Sequence, residues 1–99
     1  MKTIRSKKNS MLKYVVFEEK FYSEEVGEYI GYGIICYNEF GQEVERIEDI
    51  SLDKKFVRNL TRKFNKYSLS AVHFMDAVLD AIDWVFNPNE QLLIVYWYN

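Results

Sequence analysis

Apolar side chains alternate with polar ones over the first half of the chain and recur every third or fourth residue over the second half. That change of period is the main structural signal. Leu12 to Tyr22 is rich in Tyr, Val and Phe and predicts a first strand, followed by a polar, glycine-terminated turn from Ser23 to Gly27. Glu28 to Asn38 predicts a second strand. Ile30, Tyr32, Ile34 and Cys36 share one of its faces; Tyr29, Gly31, Gly33, Ile35 and Tyr37 share the other. Two glycines on one face imply that a helix or an aromatic ring packs closely there. Asn38-Glu39-Phe40-Gly41 is a tight connection with Gly41 suited to positive φ. Gln42 to Ile50 forms a third strand in which Val44, Ile47 and Ile50 break strict alternation, the mark of an edge or a bulge.

Beyond Ser51 the spacing becomes helical. Ser51 is an expected N-cap, with Asp53 in the first turn. Phe56, Val57, Leu60 and Phe64 then form a single stripe of a helix ending near Tyr67. Ser70 is placed to cap a second helix running to about Phe86, stopped by Asn87-Pro88-Asn89. Val72, Phe74, Met75, Val78, Leu79, Ile82, Val85 and Phe86 cover most of its circumference, so this helix is expected to be the central one. Leu92 to Tyr98 is β-prone and uncharged and predicts a fourth strand. The expected fold is α+β: an antiparallel three- to four-stranded sheet in the order β-β-β-α-α-β, covered on one face by two helices. Residues 1–10 are expected to be a basic flexible arm, and residues 11–99 a single domain. Both faces of the 91–98 segment are apolar, which predicts a homodimer burying one of them.

Composition narrows the class. Ninety-nine residues with 48% hydrophobic and 17% aromatic content exclude a chain that is mainly disordered. One cysteine excludes an intrachain disulfide, and the longest apolar run, Leu92 to Tyr98, is far below the ~18–20 residues that span a bilayer. With no apolar run after the basic start to form a signal peptide, a cytoplasmic, non-membrane protein is expected. The net charge of −2 hides strong segregation: +5 over residues 1–17, −9 over 18–53, +6 over 54–67 and −4 over 68–99.

Three surfaces follow from that segregation. Acids on the strands and turns, with tyrosines among them, suit a protein partner; Glu24, Glu25, Glu28, Tyr29, Tyr37, Glu43 and Glu45 are the candidates, with Glu43 and Glu45 expected to point the same way. Lys54, Lys55, Arg58, Arg62, Lys63 and Lys66 on the first helix, with the basic arm, form an alternative surface for nucleic-acid phosphates. His73, Asp76, Asp80 and Asp83 share a face of the second helix, a spacing that suits a divalent metal, although a solvated stripe lying beside the basic helix explains it as well. Catalysis by His73, oriented by Asp76, needs Cys36 or Ser70 as nucleophile, whereas Cys36 reads as core and Ser70 as a cap. No phosphate-cradling glycine loop, nucleophile elbow or CxxC is present, so a non-enzymatic module without a cofactor is expected.

Tyr32-Gly33-Ile34, Asp49-Ile50-Ser51 with Asp53, Val57, Leu60, Asn65, Leu69-Ser70, His73, Asp76, Val78 and Asp80 together resemble the pattern of a family of small uncharacterised Firmicutes proteins, a domain of unknown function. The resemblance covers about half the chain, from Tyr32 to Asp80, and implies a bacterial, cytosolic setting without supplying a reaction. The basic arm and apolar tail stand outside that pattern, which suggests a specialised, mobile-element relative. In general composition the chain is also similar to phage-encoded inhibitors of host defence. The reading that results is a bacterial or phage regulator that acts by occupying a partner's surface.

Overall fold

The computed structural model describes residues 12–86, so the arm (1–10) and the segment 91–98, with its expected strand and dimer contact, lie outside the described residues. Within them the chain runs β1 (Lys13–Ser23), β2 (Gly27–Tyr37), β3 (Glu43–Ser51), α1 (Lys54–Lys66), a short 3-10 turn (Ala71–His73) and α2 (Phe74–Phe86). The three strands form one antiparallel sheet in the order β1-β2-β3. The first three expected strands and both expected helices are present among the described residues, the second helix starting at Phe74 after a 3-10 turn instead of directly after Ser70.

The turn at 24–26 closes Ser23 on Gly27 and fixes the β1–β2 register without interruption, from Lys13 opposite Tyr37 down to that pair. Tyr14, Val16, Ile34 and Cys36 therefore share the face that the helices cover, and Val15, Phe17, Gly33 and Ile35 share the other. The β2–β3 loop is stapled by Asn38, whose side-chain oxygen accepts from the N–H groups of Phe40 (2.9 Å) and Gln42 (3.0 Å), while Gly41 takes φ +78°. β3 is both an edge strand and bulged, with register shifts between Tyr32 and Ile34 and between Cys36 and Tyr37. These shifts bring Ile47 and Ile50 to the helix side despite their odd spacing.

Helix α1 is capped by Asp53 rather than by Ser51. The Asp53 carboxylate accepts from the N–H groups of Lys55 (3.0 Å) and Phe56 (3.3 Å). Ser51 remains paired with Tyr32 in the sheet, so the helix begins only after Leu52 and Asp53 have carried the chain away; the Ser51 hydroxyl instead accepts from Asp53 N–H at 3.0 Å. Val57, Leu60, Thr61 and Phe64 are its buried stripe, and the Thr61 hydroxyl is satisfied by the Val57 carbonyl at 2.7 Å. At its end the Leu69 N–H bonds back to the Phe64 carbonyl, with Ser68 in the left-handed region at φ +53°.

The core gathers around Tyr14. Its ring meets Phe64 at 5.4 Å and Phe74 at 5.1 Å, both edge-on. Its hydroxyl donates to the Leu69 carbonyl at 2.7 Å. Its backbone is clasped by Asn65, which accepts from the Tyr14 N–H (2.8 Å) and donates to the Tyr14 carbonyl (2.9 Å). Phe64 and Phe74 are fully buried, each contributing about 1.5–3 kcal/mol on the usual area scale.

Helix α2 is not the central element. It buries Phe74, Ala77, Val78 and Ala81, whereas Met75, Leu79 and Val85, and Val72 in the preceding 3-10 turn, are exposed. In two layers a helix buries one stripe only, and α1 holds the position across the strands.

Burial pushes the Tyr14 phenol far above the ordinary tyrosine range, with Cys36 and Glu45 adding to the effect; burial likewise raises the Cys36 thiol. A raised acid stays protonated in the folded state while the unfolded chain ionises, so stability is full below the ordinary pKa and falls as pH climbs above about 10 for tyrosine. Tyr14→Phe leaves the Leu69 carbonyl without its donor and is expected to cost about 1–2 kcal/mol at pH 7. In urea melts across pH, the gap between wild type and this variant narrows above about pH 10. A constant gap contradicts the assignment.

Candidate functional site

The helix-free face of the sheet carries Val15, Phe17, Phe21, Tyr29, Ile35 and Tyr37. Ile35 is only 6% exposed although it lies outside the main core, because its neighbours on this face close over it. The rings settle onto β2 because β2 offers them glycines. A methyl group at Gly33 meets the Ile47 carbonyl and the Phe17 ring; one at Gly31 meets the Asp49 carboxylate and the Phe21 ring. Of the two packings the sequence allows, ring and helix, the ring is the one present.

Charged groups are fitted to this surface at the β3 edge. Arg46 pairs with Glu43 in a two-pronged contact (Nε to Oε2 2.8 Å, Nη2 to Oε1 2.9 Å) and sets its guanidinium 5.0 Å from the Phe17 ring centroid. The Arg46 hydrogen bond holds the Glu43 carboxyl below its ordinary range. Asp49, left-handed at φ +53° in the bulge, accepts from the Tyr29 hydroxyl at 2.7 Å. That bond raises the Tyr29 phenol above its ordinary value, and the Tyr29 ring stacks on Phe21 at 5.6 Å. At one end a shallow depression is lined by Lys13, Val15, Tyr37, Asn38, Glu39 and Gly41.

The expected acidic set does not form one surface. Tyr29, Tyr37 and Glu43 share the helix-free face, but Glu45 pairs with Cys36 and belongs to the helix side. Glu43 and Glu45 thus point apart, because the bulge between Cys36 and Tyr37 inserts a residue between them. Glu28, opposite Tyr22, also lies on the helix side, and Glu24 and Glu25 occupy the turn between β1 and β2. Phe17, Phe21, Glu19, Arg46 and Asp49 were not among the expected site residues. The signal for the first three was the short turn at 24–26, which sets every β1–β2 pair; for Arg46 and Asp49 the bulges hid it.

Lys54, Lys55, Arg58, Arg62, Lys63 and Lys66 are all exposed on α1. Among the described residues none of the six pairs with a carboxylate. Lys54 lies 5.9 Å from the Tyr32 ring centroid, Lys66 lies 5.4 Å from that of Tyr67, and Arg62 bonds Asn59. Asp76 and Asp80 make no ion pair with them, so the expected neutralisation of α2 by α1 is not realised there.

His73 closes the 3-10 turn, its N–H on the Ser70 carbonyl at 3.0 Å, while Asp76 and Asp80 follow on α2. No group of three or more potential ligands close enough to hold a metal ion, His73, Asp76 and Asp80 included, occurs among the described residues. Cys36 is fully buried, and the Ser70 hydroxyl accepts from the Val72 N–H at 3.4 Å. No helix among the described residues is long and apolar enough to cross a membrane.

The two glycines differ in what blocks them. Gly33→Ala strikes the backbone of β3 and is expected to cost about 1–3 kcal/mol, whereas at Gly31 the obstacle is the movable Asp49 side chain. Thermal melts should therefore rank Gly33→Ala well below Gly31→Ala, with Asp49→Gly restoring the latter. Equal costs contradict this packing.

No curated protein and no solved structure matches the chain. A family of unknown function, DUF6514, matches residues 1–84, which takes in the basic arm that the narrower resemblance had left out. The chain belongs to this family of unknown function.

Proposed function

We propose that the chain is a non-enzymatic binding module, a bacterial or phage regulator that occupies a protein partner through the helix-free face of its sheet. The observation that carries this reading is the aromatic strip itself: Phe17 and Phe21 of β1 laid against Gly33 and Gly31 of β2, with Tyr29 and Tyr37 of β2 on the same face, which neither helix covers. Rigid rings expose contact area at small entropic cost, and tyrosine adds a polar tip. Glu19, Glu43 and Asp49 edge the strip, against Lys13 and Arg46 as the bases on this face, so the fitting partner offers an apolar patch ringed by Lys or Arg. Glu24, Glu25, Glu28 and Glu45 are then outside the contact.

A photo-reactive phenylalanine analogue at Tyr37 tests it in a bacterial lysate. The expected result is one discrete heavier adduct, lost in the Glu19→Lys variant and kept in Glu24→Lys/Glu25→Lys. An adduct pattern indifferent to Glu19, or one lost with the turn variant, rejects this face as the contact.

A second reading rests on the six exposed, carboxylate-free bases of α1, which suit a phosphate backbone without reading its sequence. If three or four of them engage phosphates, binding of labelled DNA falls with salt at a log–log slope of about −3. Fluorescence anisotropy should show Arg58→Glu/Arg62→Glu/Lys63→Glu abolishing binding at low salt. Equal affinity in the variant removes this reading.

A further inference from the structure

Among the described residues β1 is the regular edge of the sheet. β3, the other edge, is broken by two register shifts and by the left-handed Asp49, which disrupt the ladder that a new strand would need. β1 runs for eleven residues and pairs with β2 without interruption. On its outer side the N–H and carbonyl of Tyr14 meet Asn65. Alternate residues of a strand turn their backbone groups the same way, so those of Val16, Glu18, Lys20 and Tyr22 face outward too. No segment among the described residues pairs with them. Glu18, Lys20 and Tyr22 are exposed, Tyr22 at 72%, because the helices anchor at the Tyr14 end. The open edge therefore runs from Val16 to Tyr22, about 20 Å of extended chain, with Glu19 at its midpoint.

We infer that two copies of the chain pair antiparallel through this edge, joining their three-stranded sheets about a two-fold axis at Glu19. Use of the whole open edge fixes the register, since Asn65 ends it on one side and the β1–β2 turn on the other. Val16 then lies opposite Tyr22 of the second copy and Glu18 opposite its Lys20, each twice by symmetry. On the other face Phe17 lies opposite Phe21 of the second copy. Aromatic with β-branched, acid with base and aromatic with aromatic are the cross-strand pairs that stabilise antiparallel sheets. Each opposed pair of outward residues exchanges two backbone hydrogen bonds, about eight in all. The acidic turn, Glu24-Glu25, also arrives at the Lys13 end of the other β1. Charges on an edge commonly keep other strands away. Here they select the register instead. Moving the axis by one residue sets Glu18 against Glu18 or Lys20 against Lys20. The like-charged pair that remains is Glu19 with itself, and each copy brings Arg46 to that face. The Arg46 guanidinium is raised by its Glu43 hydrogen bond first, then by the charges of Glu43, Glu48 and Glu19. The two helix-free faces run on into each other without being covered, so the pairing is independent of what binds there.

Sedimentation velocity of the full chain over a concentration series tests this. The expected result is a reversible monomer–dimer equilibrium. Glu18→Lys and Lys20→Glu each turn two attractive pairs into repulsive ones and should weaken the dimer about tenfold. Mixed one to one, the two variants should dimerise again, because both charge pairs across the axis then have opposite signs. Circular dichroism checks that each variant is folded. Oxidation gives a second readout. In a Cys36→Ala background, Glu19→Cys should form a disulfide-linked dimer, since the axis sets its two copies about 4.5 Å apart between Cα atoms. Glu28→Cys, on β2, should not. A monomer at every concentration overturns the inference, as does a dimer indifferent to both charge variants or a mixture that fails to re-form it. Disulfide formation as efficient at position 28 as at position 19 overturns it too.

Discussion

Tyr14 is the residue on which the other layers depend. An edge strand meets two helices at this one side chain: its ring is wedged between Phe64 of α1 and Phe74 at the start of α2, and its hydroxyl closes the orphan carbonyl of Leu69 in the link between them. Asn65 adds a constraint of a different kind. By bonding both the N–H and the carbonyl of Tyr14, a helix side chain occupies a stretch of β1 edge that would otherwise be open to another strand. Helix docking and edge protection are thus the same contact. It also decides which sheet face is left over, because anchoring both helices on the Tyr14 side leaves Phe17 and Phe21 to cover β2 from the other.

That second face has its own logic. Gly31 and Gly33 alternate with Tyr32 and Ile34, so the strand is bulky towards the helices and almost bare on the far side. Rings from β1 fill the bare side without building a layer thick enough to be called a second core, and the bulge in β3 turns Asp49 inward to meet Tyr29. A left-handed aspartate is a strained position, and its cost is offset by the hydrogen bond and by the close approach to Gly31 that no larger residue permits. Flat, aromatic and edged with acids, the face is shaped by covalent geometry on β2 rather than by any single binding residue.

Much of this was legible in the sequence because it rests on local periodicity. The alternation in β1 and β2, the Asn38–Gly41 loop and the stripe of α1 each follow from spacing alone, and the paired glycines announced a close neighbour. What was not legible depended on register shifts. One inserted residue in β3 separates Glu43 from Glu45, and composition treats them as a pair. Asn65 illustrates another limit: its role needs a backbone 51 residues away, and nothing in its own helix distinguishes it from Asn59. The cap of α1 moved from Ser51 to Asp53 for a similar reason, since the sheet holds Ser51 until the chain has cleared its edge.

The charge pattern shows how far a linear tally can mislead. Blocks of opposite sign along a chain suggest elements that neutralise each other on folding, yet the bases of α1 point to solvent and leave Asp76 and Asp80 unpaired with them. The reason is geometric. An amphipathic helix that spends its apolar stripe on the sheet must turn its charged side outward, and α2, meeting the same core from one side, must do likewise with its aspartates. Two such helices on one layer share the core between them and present their charges in different directions. Segregation in the sequence therefore becomes segregation in space: a cationic helix, an acid-bordered apolar helix and an acid-edged aromatic sheet face. Three chemically distinct surfaces thus surround one small core, each set by which side of its element the core takes up.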